Sequence, residues 1–209
     1  MKARDFLEAA RVPRSLAPQE FGVWRIERRK APLDLLCRAA GRKPMGWTDY
    51  TLLFRLTEAT MHLDGDIVME DSVAELQRHL PIWMAARGRV LVTGLGLGCV
   101  VRGLLASPKV SHVDVVEIDR KIIDVVGPEV AGSRCTIHHA DALTWEPPPD
   151  AAWDFAWHDL WCEDGGKHLQ LLHADLFSRF YDAIPLRRQG AWAFPRTIGR
   201  RIGLLGAPR

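Results

Sequence analysis

Several features of secreted, membrane and zinc-binding proteins are missing from this sequence. Its four cysteines are scattered, and no two of them form a Cys-x-x-Cys pair, which argues against a disulfide framework and a zinc knuckle. No apolar run approaches the roughly 20 residues that a membrane helix requires, and the first residues contain no apolar stretch followed by a cleavage site. We therefore expect a soluble protein of the reducing cytoplasm, without a membrane partner.

A strong charge of either sign is also missing. The formal net charge is only +2, so overall charge gives no reason to expect a nucleic-acid partner. Basic residues cluster at residues 25–30 and again at 187–209, and we interpret both clusters as solvated surface. The histidines form no His-x-x-x-His pair on a helix, so no metal site is predicted.

The 209 residues suffice for one substantial domain with an appended segment. We place the boundary between residues 1–71 and 72–209, because the first part is irregular and basic. Its predicted elements are a helix (Ala3–Ala10), a strand (20–28), a helical turn (32–40), a loop (41–46) and a strand (50–57). An Asp-Gly turn signal at 64–65 then predicts a small antiparallel unit.

From Ser72 onward, strand-like and helix-like segments alternate. Ser72 and Glu75 have the spacing of a capping box, which predicts the start of a helix. Predicted strands then cover residues 89–93, 112–118, 135–139, 153–159 and 191–194, and predicted helices cover 97–106, 120–126 and 168–184. This alternation indicates an α/β fold with a Rossmann-like, mostly parallel sheet and helices on both faces, preceded by the N-terminal β-hairpin segment.

A glycine-rich turn joins the first of these strands to its helix. Gly94, Gly96 and Gly98 alternate with Leu95 and Leu97. Glycines permit positive φ and remove the Cβ atoms that would keep a ligand away from the backbone. The following helix directs its free N–H groups towards the turn, so the turn predicts a site for a nucleotide-like ligand.

Carboxylates at the ends of the next two strands extend this site. Glu117 follows the glycines by about 20 residues, a spacing typical of a carboxylate that accepts hydrogen bonds from both ribose hydroxyls. Asp141 lies where it can accept a hydrogen bond from an adenine amino group. Cys99 occupies the position of the third glycine of the dinucleotide fingerprint, which favours S-adenosylmethionine over NAD. Ile118 and Ala142, which follow the two carboxylates, complete the predicted adenosine site.

These motifs resemble those of the class I S-adenosylmethionine-dependent methyltransferase superfamily, and within it those of the spermidine-synthase-like branch. The resemblance covers residues 63–194 and rests on VLVTGLGLG, VDVVEID, HADAL and WDFAWHD. It implies S-adenosylmethionine as the cofactor, with the three glycines packed against its methionine part and ribose. It also implies the ribose and adenine contacts of the two carboxylates, and places Asp159 at the end of the fourth strand, facing the reacting centre.

The sequence departs from the spermidine synthases at three places. Leu97 stands where these enzymes carry an acidic residue in the glycine loop. Residues 160–163 (LWCE) replace Ser-Ser-Asp-Pro or a close variant after the fourth strand, and both differences remove groups that hold amines. Little chain follows the fifth strand, so we expect the C-terminal strands of the sheet to be shortened or replaced by other segments.

We therefore expect a methyltransferase that acts on an unidentified small-molecule acceptor. Methyl transfer from a sulfonium mainly requires alignment of a nucleophile and exclusion of water. A general base is needed only for an acceptor that starts protonated, and Asp159 is the catalytic candidate. Two alternatives stay open: a polyamine aminopropyltransferase, and a non-catalytic module that keeps the fold and pairs as a homodimer through an uncovered sheet edge.

Overall fold

A computed structural model of the chain describes residues 1–30, 49–57, 65–160 and 169–192. Its helices are α1 (Ala3–Ala10), α2 (Val73–Ala85), α3 (Cys99–Ala106), α4 (Arg120–Val126) and α5 (Leu169–Arg179). Its strands are β1 (Gln19–Phe21), β2 (Trp24–Lys30), β3 (Asp49–Arg55), β4 (Asp66–Glu70), β5 (Gly88–Thr93), β6 (Val110–Glu117), β7 (Cys135–His139), β8 (Phe155–His158) and β9 (Gln189–Ala191). None of the helices in these ranges has the length and apolar character needed to cross a membrane.

The first four strands form an antiparallel sheet in the order β1-β2-β3-β4. The single strand predicted over residues 20–28 is wrong, because Gly22 adopts a φ of 63° and the chain reverses between Phe21 and Trp24, which pair across the hairpin. Glycine adopts this left-handed conformation without a steric penalty. The strand predicted over residues 50–57 is present as β3, whereas the predictions for residues 32–40 and 41–46 lie outside the described residues.

The last five strands form a second sheet in the order β7-β6-β5-β8-β9, and every neighbouring pair is parallel. β5 lies in the middle, and the chain leaves it first through β6 and β7 and then through β8 and β9 on the other side. The predicted Rossmann-like sheet is therefore confirmed. Open parallel sheets bind ligands beyond the carboxyl ends of their strands, at the point where the strand order reverses. That point is the end of β5.

Some helices and strands have the bounds predicted from the sequence, and others begin or end at different residues. α1, α4 and β7 have the bounds expected from the sequence. α3 begins at Cys99 rather than at residue 97, because Gly98 is the N-cap and has a φ of 74°. The helix predicted over residues 168–184 is present as α5, which ends at Arg179.

The fifth strand of the parallel sheet begins earlier in the chain than predicted. β9 covers Gln189–Ala191 and so begins two residues before the predicted start at residue 191, while residues 193–194 of the prediction lie outside the described residues. Gln189 is fully buried, and Gly190 packs on the ring of Trp157. A buried polar residue is invisible to a search for apolar runs. The expectation of shortened C-terminal strands concerns residues 193–209, which lie outside the described residues.

Apolar side chains cover both faces of the parallel sheet. One cluster combines sheet residues with residues of α1, α2, α3, α4 and β2. On the other face, Leu91, Val116 and Ala156 pack against Leu176 of α5 and Phe180 just after it. The prediction of helices on both faces is confirmed, and the N-terminal segment shares a core with the sheet.

Candidate functional site

The glycine turn leaves the carboxyl end of β5 with three positive backbone angles. The φ angle is 92° at Gly94, 50° at Gly96 and 74° at Gly98, a region that L side chains rarely adopt. A Cβ on Gly94 would also lie 2.1 Å from the carbonyl oxygen of Asp159. The first glycine is therefore required by the packing of two strand ends, independently of any ligand.

Met69 of β4 lies on the glycine turn, a position that its place in the sequence does not indicate. Its Sδ accepts a hydrogen bond from the backbone N–H of Leu97 at 3.2 Å, and it lies 2.7 Å from the position of a Cβ on Gly96. A thioether is a weak acceptor, so a ligand with a stronger acceptor can take its place. No motif points to Met69, because it precedes Leu97 by 28 residues and belongs to the other sheet.

Glu117 ends β6 beside the turn, and its side chain is buried. One carboxylate oxygen accepts a hydrogen bond from the N–H of Leu95 at 2.7 Å, and the other accepts from the N–H of Asp119 at 2.8 Å. Burial raises the pKa of Glu117, while these backbone hydrogen bonds act in the opposite direction. Each carboxylate oxygen has a second lone pair, so the group retains acceptor capacity next to the turn.

The residues predicted for the adenosine end follow β6 and β7. Ile118 is 63% exposed, which leaves an apolar side chain in solvent directly after Glu117. Asp141 accepts a hydrogen bond with Oδ1 from the N–H of Leu143 at 2.9 Å. Ala142 is buried in the apolar cluster on the α5 face of the sheet, so its side chain packs in the core.

Asp159 follows β8 at the same edge of the sheet and is half-buried. Its N–H donates to the carbonyl oxygen of Thr93 at 2.8 Å, which holds its backbone next to the glycine turn. Burial raises the pKa of the Asp159 carboxyl to about 7, and the negative charge of Glu75 is the second cause. A carboxyl group that titrates near neutral pH is suited to accept a proton during a reaction.

Glu75 of α2 is a site residue that the sequence analysis assigned only to helix capping. Half of the predicted capping box is present, because Ser72 Oγ accepts a hydrogen bond from the N–H of Glu75 at 3.3 Å. The Glu75 carboxylate instead accepts a hydrogen bond from the indole Nε1 of Trp192, which follows β9. Burial raises the pKa of Glu75. Its closeness to Asp159 arises only from the tertiary structure.

His158, the last residue of β8, belongs to a buried chain of hydrogen bonds. Its Nδ1 lies 3.1 Å from Thr93 Oγ1, and its Nε2 lies 3.0 Å from Gln189 Oε1. The Gln189 amide nitrogen donates to the carbonyl oxygens of Phe177 and Ile184, so its oxygen faces His158 and requires a donor there. His158 therefore carries its proton on Nε2 and accepts from Thr93 at Nδ1. Burial lowers the pKa of His158 to about 4, which keeps the ring neutral.

No protein-family model matches the chain, but curated proteins match part of it, including an aminopropyltransferase and an RNA methyltransferase. A polyamine aminopropyltransferase of Agathobacter rectalis is 39% identical over 93 residues, which make up 39% of this chain and 33% of that protein. The ribosomal RNA small subunit methyltransferase A of Chromobacterium violaceum is 42% identical over 57 residues, or 27% of this chain and 21% of that protein. The matched part thus spans a third or less of each of these two relatives.

A solved structure matches more of the chain. A spermidine synthase in complex with the transition-state analogue AdoDATO aligns with 80% of this chain and 54% of its own, with a TM-score of 0.50 and 16% identity. At this identity the likeness shows the fold alone. The resemblance predicted from the motifs is therefore confirmed at the level of the fold.

Proposed function

We propose that this chain, which has the fold common to class I S-adenosylmethionine-dependent methyltransferases and spermidine synthases, binds S-adenosylmethionine and methylates a small-molecule acceptor. One observation carries the proposal: four strand ends bring their functional groups to the same edge of the parallel sheet. The glycine turn follows β5, Glu117 ends β6, Asp141 follows β7 and Asp159 follows β8.

The described residues fit this cofactor. The Glu117 carboxylate keeps acceptor capacity beside the turn, as ribose hydroxyls require. Ile118 offers an exposed apolar surface to an adenine ring, which would remove that surface from water. Asp141, after the next strand, supplies an acceptor for the adenine amino group. The turn adopts positive φ angles that favour glycine, and glycine has no Cβ atom that would keep a ligand away from its backbone.

The residues around Asp159 favour an acceptor that loses a proton. When bound, S-adenosylmethionine would supply an electrophilic methyl group to the acceptor atom, with its sulfur as the leaving atom. Asp159 accepts the proton that a protonated nucleophile loses, and its raised pKa of about 7 makes the carboxylate available above neutral pH. The nearby Glu75 carboxylate adds negative charge, which its ion pair with the half-exposed Arg78 offsets in part, so the pair disfavours an anionic acceptor.

Aminopropyl transfer is the second candidate. The 39% identity over 93 residues to a protein named polyamine aminopropyltransferase favours it. Leu97 argues against it, because this side chain is fully buried in the apolar core and leaves the turn without a carboxylate for a polyamine. We therefore place methyl transfer first.

Isothermal titration calorimetry with S-adenosylhomocysteine tests the proposal. We expect one ligand per chain, and we expect Glu117→Ala to weaken binding at least tenfold by removing the ribose acceptor. Ile118→Ser should weaken binding about tenfold without loss of stability, because its side chain is exposed in the free protein. Leu171→Ser is the matched control: Leu171 is also 63% exposed but lies on α5, and its replacement should leave affinity unchanged.

Three outcomes separate the candidates. Binding of S-adenosylmethionine and S-adenosylhomocysteine at least as tight as that of the decarboxylated compound supports methyl transfer. Clearly tighter binding of decarboxylated S-adenosylmethionine supports aminopropyl transfer instead. If a folded protein gives no heat with any of the three compounds, the proposal is overturned in favour of a non-catalytic module.

A further inference from the structure

The N-terminal helix α1 is built into the domain that carries the glycine turn. Phe6 of α1 stacks on Trp83 of α2 with ring centroids 6.3 Å apart and an angle of 15° between the planes. Ala10, the last residue of α1, is fully buried. The carbonyl groups in the last turn of a helix have no partner within the helix and carry partial negative charge. A donor from elsewhere in the fold is therefore needed at this buried helix end.

Arg102 of α3 supplies that donor and reaches the glycine turn with the same nitrogen. Its Nη2 donates to the carbonyl oxygen of Ala10 at 3.3 Å and to that of Leu97 at 2.9 Å. The same nitrogen lies 3.5 Å from the sulfur of Cys99. Its Nη1 lies 3.0 Å from the position of a Cβ on Gly98. The guanidinium thus lies between the end of α1 and the second half of the turn.

The segment that follows α1 is held by the carboxylate of Asp71. One carboxylate oxygen of Asp71 accepts from the N–H of Val12 at 2.9 Å, and the other accepts from the N–H of Thr51 at 2.5 Å. Asp71 is fully buried and lies two residues after Met69, whose sulfur rests on the turn. Asp71 therefore joins the chain just after α1 to strand β3, and α1 ends at the carbonyl group that accepts from Arg102.

The charge of Arg102 acts favourably on the buried Asp71 carboxylate, but the hydrogen bonding of its guanidinium is incomplete. Within the part of the chain that the structure describes, its Nε and Nη1 atoms are buried without a hydrogen-bond partner, and unpaired buried polar atoms are unfavourable. A glycine-rich turn, in contrast, has much conformational freedom to lose when it binds a ligand. Holding one of its carbonyl groups in place lowers that loss and so strengthens binding.

We propose that Arg102 is a positioning residue, which holds the glycine turn in its ligand-binding shape by joining the Leu97 carbonyl group to the end of α1. This inference rests on the proposed function for its effect on cofactor affinity. Its effect on the turn itself does not depend on that function. The helix α1 then contributes to the cofactor site through Arg102.

The chain offers a matched control in Arg134. This arginine also donates from its guanidinium to two backbone carbonyl groups, those of Leu105 and Val110. Leu105 lies near the opposite end of α3 from the glycine turn, and Val110 is the first residue of β6. Replacement of Arg134 therefore removes the same kind of interaction from the same helix without touching the turn.

The test compares Arg102→Met, Arg102→Lys and Arg134→Met in the full chain. The first readout is the affinity for S-adenosylhomocysteine by calorimetry. The second is amide hydrogen exchange at Gly98, whose N–H closes the turn by donating to the carbonyl oxygen of Leu95 at 2.8 Å. We expect Arg102→Met to weaken binding at least tenfold and to speed exchange at Gly98 at least tenfold. Arg134→Met should change both by less than twofold.

Arg102→Lys should give intermediate values, because a lysine retains the charge but cannot reproduce the planar guanidinium contact. If Arg102→Met does not fold, the results for Arg102→Lys decide the test. Unchanged exchange and affinity in the Arg102 variants, or equal losses in Arg134→Met, would overturn the inference. If the wild-type protein binds no adenosyl compound, the proposed function fails and exchange at Gly98 alone decides the role of Arg102.

Discussion

The carbonyl oxygen of Asp159 lies so close to Gly94 that a Cβ at position 94 would stand 2.1 Å away from it. Gly94 begins the glycine turn after β5, and Asp159 follows the neighbouring strand β8. The N–H of Asp159 also donates to the carbonyl oxygen of Thr93 at 2.8 Å. The candidate cofactor turn and the candidate base are therefore parts of one tightly packed strand junction.

Gly94→Ala should destabilise the protein. The substitution introduces a side chain at a φ of 92°, where L residues are strained, and the new Cβ would collide with a backbone carbonyl group. Relief of this collision would require a shift of the backbone. We expect a loss of at least about 2 kcal/mol in the free energy of unfolding, measured by urea denaturation. Gly132→Ala is the control, because a Cβ there meets nothing within 4 Å. Equal stability of the two variants would contradict the packing shown at Gly94.

Asp159→Asn should stabilise the protein at alkaline pH. The folded-state pKa of about 7 lies above the unfolded value of about 3.9, so between these values the folded state binds more protons than the unfolded state. The wild type therefore loses stability as pH rises from about 4 to 7, and stays at the lower level above 7. The asparagine side chain cannot ionise, so we expect the variant to have a Tm about 2–4 °C above that of the wild type at pH 8, equivalent to about 1 kcal/mol.

Calorimetric melting at pH 8 and pH 5 measures this difference, which should shrink at the lower pH. Asp124→Asn controls for the loss of one negative charge, since Asp124 lies on the surface of α4 in an ion pair with Arg120. If Asp159→Asn is less stable than the wild type at pH 8, the fold stabilises the ionised carboxylate of Asp159, and the prediction is wrong.

Gly103→Ala should destabilise the protein although alanine is the better helix former. Gly103 lies inside α3, where helix propensity alone predicts a gain of about 1 kcal/mol. A Cβ at this position would lie 2.3 Å from Cε2 of the buried Trp83, whose Nε1 donates to the carbonyl oxygen of Val100 at 3.0 Å. Overpacking costs about 1–3 kcal/mol, so we expect a net loss in the free energy of unfolding.

A double-mutant cycle with Trp83→Leu provides the control for Gly103→Ala. With the smaller side chain at position 83, the clash disappears and the cost of Gly103→Ala should fall or reverse in sign. A cost that is the same in both backgrounds would show that contact with Trp83 is not its cause.

The parts of the fold that the sequence predicted well depend on local patterns. The parallel sheet follows from the alternation of apolar runs with helical periodicity, and the bounds of α4 and β7 coincide with the ends of such patterns. The reversal at Gly22 and the start of β9 at Gln189 were not predicted, for the opposite reason. A glycine within an apparently continuous strand, and a buried glutamine whose partners are backbone carbonyl groups, have no distinctive local pattern.

The candidate site likewise contains residues that local patterns predict and residues that they do not. Gly94, Glu117, Asp141 and Asp159 each follow or end a predicted strand, and parallel strands bring their carboxyl ends to one edge, so their common location could be inferred from the sequence. Met69, Glu75 and Arg102 could not be found in this way. Each acts through a partner on a different element: the N–H of Leu97, the indole of Trp192 and the carbonyl group of Ala10.

The sequence by itself determined the alternation of strands and helices, the class of the fold and the positions at which glycine and carboxylate groups meet the sheet edge. These properties depend on the periodicity of side chains and on backbone conformations that few residues adopt. Only the tertiary structure decided the environment of those groups, including the burial that raises the pKa of Asp159 to about 7 and the contacts of Arg102 with the turn and α1. Burial, electrostatic interaction and close packing depend on distances between segments remote in the chain, and no local pattern records those distances.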